Sequence, residues 1–170
     1  MTLLALYLLA TADGAICGYR VAGRRGLLVD KHACYRAVTR GTLWAQIAAV
    51  IAAGALVAAW KLAPDRAALI SDMEHAARRM LWVFVPYAVA IFVSFAVRAL
   101  PSTDIRSATS VMIVGRIMAL RPFVAIAGVL YGIIPAGRWE TKALGAVVLA
   151  LMLSLEPLLD RIAELQPTTQ

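Results

Sequence analysis

Read for polarity alone, the chain alternates long apolar runs with short charged ones. Five runs stand out, at residues 2–19, 41–60, 80–100, 108–134 and 143–160, each near the roughly 20 residues that a helix needs to cross a bilayer. The pattern predicts an all-α protein: a polytopic transmembrane helical bundle of five spans with short loops, forming a single integral membrane domain over residues 1–170. Four spans result if the first helix does not cross fully or if the fourth is broken at Pro122.

Each run has its own markings. The first opens with an apolar decapeptide, contains one acid, Asp13, and carries Gly14 and Gly18 as a GxxxG pair that admits a close neighbour. Ala10-Thr11-Ala12 has the look of a signal-peptidase site, yet no Lys or Arg precedes the apolar stretch, so the run is expected to be retained as a span. The second run is uncharged and alanine-rich, with Trp44 and Trp60 near its ends, where aromatic rings favour the membrane interface. Before the third, Ser71-x-x-Glu74 reads as a capping box, Glu74 and Arg78 are spaced for an ion pair, and residues 61–79 are expected to lie on the surface before bending into the span. Pro86 falls in the second turn of that span, and Pro101 to Asp104 reads as a chain reversal. The fourth run holds Arg116, Arg121, Pro122 and a second GxxxG pair, Gly128 and Gly132. Pro122 has no N–H to give, so the carbonyl of Met118 loses its helical partner. The fifth carries Glu156-Pro157 near its end.

Composition agrees with a membrane solvent: 62% of the 170 residues are hydrophobic and mean hydropathy is +0.78, against roughly 45–50% apolar residues in soluble domains. The net charge of +7, from 17 Lys+Arg and 10 Asp+Glu, brings nucleic acid to mind. In a membrane chain such cations set topology and meet anionic lipid headgroups, so nucleic-acid binding is not expected. The densest basic segment, with Arg20, Arg24, Arg25, Lys31, Arg36 and Arg40, is read as a loop over residues 19–40 with a short amphipathic piece on the headgroups. By the positive-inside rule it is cytoplasmic, which puts the N-terminus outside. Heavy use of Ala, Val, Gly and Arg suggests a bacterial gene, hence the cell (inner) membrane.

Cys17 and Cys34 lie in no metal or redox spacing and read as small apolar residues. His32 and His75 fall on opposite sides of a five-span arrangement and so do not share a haem. No cofactor and no metal are expected.

Depth arithmetic singles out one constellation. With helices alternating in direction and rising 1.5 Å per residue, Asp13 lies roughly 8–10 Å, Arg116 roughly 13 Å and Glu156 roughly 6–9 Å from the cytoplasmic ends of their helices, with Arg121 about one and a half turns deeper than Arg116. Asp13, Arg116 and Glu156 are therefore expected to share one layer, with Arg121 close by. Two acids and two bases make a site neutral overall, which is how charge becomes tolerable inside a bilayer. Such a cluster docks helices one, four and five, or holds an anionic substrate or lipid headgroup through Arg116 and Arg121, or passes protons or ions through the acids.

One short stretch resembles a known signature. Asp13-Gly14, Arg20 and Gly26-x-x-x-Asp30 resemble a fragment of the CDP-alcohol phosphotransferase motif, whose aspartates hold divalent cations against a pyrophosphate. The fragment departs from that motif at Ala10, where the first aspartate belongs, at Cys17-Gly18, where the family has Ala-Arg, and at Cys34, where a last aspartate belongs. With two carboxylates missing, a cation would lack anionic oxygens, so the family's activity is not carried over. No HExxH, GxSxG, P-loop or GxGxxG occurs. The expected function is non-catalytic: an accessory or scaffolding subunit packing small-residue faces against other membrane subunits or a second copy. A small transporter or anionic-lipid-binding protein is the alternative, and a membrane enzyme acting on lipid phosphates a third.

Overall fold

The computed structural model describes residues 2–28, 30–99 and 116–164. It is all-helical. Among the described residues the long helices are α1 (Thr2–Arg24), α2 (Lys31–Leu62), α3 (Arg66–Ala99), α4 (Arg121–Ile133) and α5 (Trp139–Glu164). Three are long and apolar enough to cross a membrane: α2, α3 over Arg66–Ser94, and α5. α4 is apolar but has 13 residues, about 20 Å of rise against a hydrocarbon core of about 30 Å.

Residues 116–119 are helical and lead into α4 through a turn at Leu120. The rest of the expected fourth run, from residue 108, and the reversal at Pro101 to Asp104 lie outside the described residues. The turn has a local cause. Leu120 donates its N–H to the Ile117 carbonyl at 3.2 Å, a tighter i−3 bond, and Pro122 then stands at the start of α4, where its missing N–H costs little.

The segment expected as a basic loop over residues 19–40 is mostly helix. α1 continues to Arg24 and α2 begins at Lys31, because alanine and arginine propagate a helix well. Only a tight turn remains. Gly26 takes φ +69°, a left-handed geometry that glycine adopts without strain, and the Leu27 N–H closes onto the Ala22 carbonyl at 2.9 Å. Asp30 caps α2 by accepting from the His32 N–H at 2.8 Å. Bonds from the Ala33 and His32 backbones hold its carboxyl below the usual carboxylate range.

α3 likewise begins earlier than expected and runs as one helix with Pro86 inside it. Capping falls to Asp65, which accepts from the Ala68 N–H at 3.0 Å, so Ser71 lies within the helix rather than before it. Glu74 pairs with Arg78 at 2.6 Å, as its spacing predicts. Arg66 rests over the Trp60 ring, 4.5 Å from its centroid, where α2 hands over to α3.

Neighbouring helices run in opposite directions. Gly14 faces Gly41 and Ala45 while Gly18 faces Ala37 and Val38, so α1 and α2 are antiparallel. A Cβ placed on Gly14 would lie 2.5 Å from both the Gly41 carbonyl oxygen and the Ala45 Cβ, so the two backbones touch there. Gly128 packs on Phe84 and Gly132 on Met80, which makes α3 and α4 antiparallel as well. Both GxxxG pairs are thus occupied by partners within the chain. α1 lies parallel to α3, with Ile16 beside Ile91 at one end and Leu6 and Leu9 near Met80 and Phe84 at the other.

The outer surface is apolar. Only 6% of the most apolar window of α2 is buried, and Val50 at 72%, Phe92 at 73% and Trp82 at 78% are largely exposed. In water such a surface would be far larger than the apolar patches monomeric proteins tolerate.

Candidate functional site

The polar centre of the molecule lies where α1, the start of α4 and α5 meet. Arg121 is 3% exposed, and its Nε and Nη2 donate to the two carboxylate oxygens of Asp13, each at 2.6 Å. This is the bidentate fork-to-fork pairing in which guanidinium and carboxylate match best. Nη2 also donates to the Met152 carbonyl at 2.6 Å, and Nη1 stands 3.9 Å from Glu156. One side chain therefore ties α4 to both α1 and α5.

Above that pair, a ladder continues to the end of the molecule. Arg20 meets Glu156 at 3.0 Å. Arg24 bridges Glu156 and Asp160, the latter at 2.5 Å. Arg25 donates to the Asp160 carbonyl at 2.7 Å and lies 3.4 Å from Glu164. Arg20 and Arg24 advance by one turn while Glu156 and Asp160 advance by one turn, so α1 and α5 are parallel and in register. Four arginines face four acids across this seam.

Arg20 has a second task. Its Nη1 donates to the Met118 carbonyl at 3.0 Å, the oxygen that Pro122 deprives of a helical N–H. A buried carbonyl without a partner is costly, and a guanidinium from another helix satisfies this one.

Of the four residues singled out from sequence, the structure brings together Asp13, Arg121 and Glu156. Arg116 is corrected: it is exposed and forms no ion pair among the described residues. The reason is angular. Five residues turn a helix by about 140° beyond a full circle, so Arg116 and Arg121 face different sides, and depth alone cannot place both in one layer. Sequence reasoning also missed Arg20, Arg24, Arg25, Asp160 and Glu164, having assigned the arginines to a loop. The signal was present as two stripes at helical spacing, Arg20/Arg24 and Glu156/Asp160/Glu164.

An open cavity of about 310 Å³ sits against this seam, lined by Arg20, Arg24, Arg121, Glu156 and Asp160 beside Pro122, Leu153 and Pro157. The opposite end of the molecule has a smaller polar knot: Asp72 accepts from the Gly137 and Arg138 N–H groups at 3.1 and 3.2 Å, pinning the α4–α5 turn to α3. Arg79 donates to the Gly132 carbonyl nearby, at 3.0 Å through Nη2. Among the described residues no three His, Cys, Asp or Glu side chains converge as a metal site. Cys17 is buried and Cys34 partly so, both as free thiols.

Comparison with protein-family models, with curated proteins and with solved structures finds no match to this chain.

Proposed function

We propose that the chain is a five-crossing membrane protein with a non-catalytic role, an accessory or scaffolding subunit of a membrane assembly, resident in a bacterial cell membrane with its basic turn cytoplasmic. The observation that carries this reading is the state of α2. It is 32 residues long and rich in alanine, yet packs chiefly through one flank, and Gly54 on its open side has nothing within 4 Å. The open face presents Leu43, Ile47, Val50, Ile51 and Val57 with Gly54 among them, an apolar surface that suits lipid or another membrane helix. The two GxxxG faces expected to serve that purpose are taken up inside the chain, so the assembly surface is assigned to the outer face of α2 instead.

The charged seam supports the same reading. Asp13, Arg121 and Glu156 act as a clasp that docks three helices: Nε and Nη2 of Arg121 donate to Asp13 and to the Met152 carbonyl, and Nη1 stands 3.9 Å from Glu156, so most of its donor capacity is used inside the chain. The alternation of helix direction supports five crossings, with α1, α3 and α5 parallel.

Native mass spectrometry on gently solubilised membranes tests the proposal. A stoichiometric protein partner, lost when Gly54 is replaced by Leu, is the expected result. A chain that leaves the membrane fraction in alkaline carbonate, or that runs without any protein partner, overturns it.

A further inference from the structure

Six arginines near the α1–α2 end of the molecule form two groups. Arg20, Arg24, Arg25 and Arg121 each meet a carboxylate or carbonyl across the seam, and the cavity they line already contains two acids, Glu156 and Asp160. Arg36 and Arg40 form no close ion pair among the described residues, although Arg36 attracts Asp30 at the start of α2 through space. They stand one turn apart on α2 and border, with Tyr35, Thr39 and Leu43, a shallow cleft of about 240 Å³ whose wall is chiefly apolar and has no acidic side chain. Like charges at this spacing repel each other. An anion between them would remove that repulsion.

We propose that this cleft seats the headgroup of an anionic phospholipid, with the phosphate held between Arg36 and Arg40. The inference rests on the membrane residence proposed above and gives it a specific contact. Helix length fixes the depth. α2 has 32 residues, about 48 Å, so a hydrocarbon core of about 30 Å accommodates some 20 of them. Gly41 to Trp60 is the uncharged stretch of that length, and Trp60 marks its far boundary. Arg40 and Arg36 then lie about 2 and 8 Å beyond the near boundary, at the level of the phosphates.

The wall chemistry follows the lipid's own polarity. Leu43, 53% exposed, lies on the acyl side. Tyr35, 71% exposed, presents an aromatic ring and a phenolic O–H at headgroup height. Two cations with no close ion pair among the described residues favour a lipid of net negative charge over a zwitterionic one. Free phosphate lacks the acyl chain that Leu43 would cover.

The test is lipid titration of the full chain in mild detergent, read by native mass spectrometry, with phosphatidylglycerol, phosphatidylcholine and inorganic phosphate as probes. The wild type is expected to retain one phosphatidylglycerol in preference to phosphatidylcholine and to bind inorganic phosphate far more weakly. Arg36→Gln/Arg40→Gln is expected to weaken phosphatidylglycerol about thirtyfold, at about fivefold per charge. Arg36→Lys/Arg40→Lys should recover most of it, since charge at the surface is the larger contribution. Lys61→Gln, an exposed cation at the other end of α2, should leave retention unchanged. Equal retention by the double glutamine variant, an equal loss with Lys61→Gln, or no preference for phosphatidylglycerol over inorganic phosphate overturns the seat. Those results leave membrane residence standing, whereas release of the chain by alkaline carbonate removes that reading itself.

Discussion

At the scale of single residues, Arg121 governs the interior. A buried ion pair stabilises little compared with apolar packing, but breaking one leaves an uncompensated charge behind. Arg121→Leu is therefore expected to destabilise by about 3–5 kcal/mol, read as a lower unfolding midpoint in detergent. Asp13→Leu should do the same, while Asp13→Leu/Arg121→Leu together should recover much of the loss. Strictly additive losses would mean that the pair does not act as a unit. Arg116→Leu, outside the clasp, is expected to shift the midpoint little. Asp30 makes a separate prediction. Its carboxyl is held below its usual range by the Ala33 and His32 N–H groups, so capping of α2 is fully present above the unfolded carboxylate value of about 3.9 and fades as pH falls through the lower folded one. Hydrogen exchange at His32 and Ala33 should rise with acid relative to mid-α2 amides; an Asp30→Ala chain should already exchange fast there and show no such acid step.

At the scale of elements, glycine determines how closely the helices approach. Gly41→Leu drives a side chain into the α1 backbone at Gly14, where neither atom group is free to yield, and is expected to cost about 1–3 kcal/mol or more. Gly54→Ala meets nothing within 4 Å and should stabilise α2 by about 0.5–1 kcal/mol. Thermal unfolding of the two variants against wild type checks both signs. The same elements show what sequence could and could not tell. Apolar runs and GxxxG spacing announced the helices and their small-residue faces, because a membrane-length run and a bare backbone are local properties. Helix ends at Arg24, Lys31 and Arg66 were not legible, since charged residues propagate a helix as readily as they end it. The partner of Gly14 was not legible either, as any helix with a small residue at the right height would have fitted. Met118 was the exception in the other direction: loss of its carbonyl's partner followed from Pro122 alone, and only the identity of the donor, Arg20, needed coordinates.

At the scale of the whole molecule, most of the charge gathers at the two ends. The α1–α2 turn, the Arg20 to Arg25 ladder, the close of α5 and the Arg36/Arg40 cleft share one end, while the α2–α3 and α4–α5 turns share the other. Such sorting follows if the apolar surface between the ends lies in a bilayer, where neighbouring helices must alternate. Cysteine labelling in intact membranes tests that arrangement most directly, in a chain with Cys17 and Cys34 replaced by Ala and single substitutions Leu28→Cys, Gly137→Cys or Arg161→Cys. An impermeant thiol reagent is expected to reach positions 28 and 161 from the same side and position 137 from the opposite one. Labelling of positions 28 and 137 from one and the same side would contradict the account.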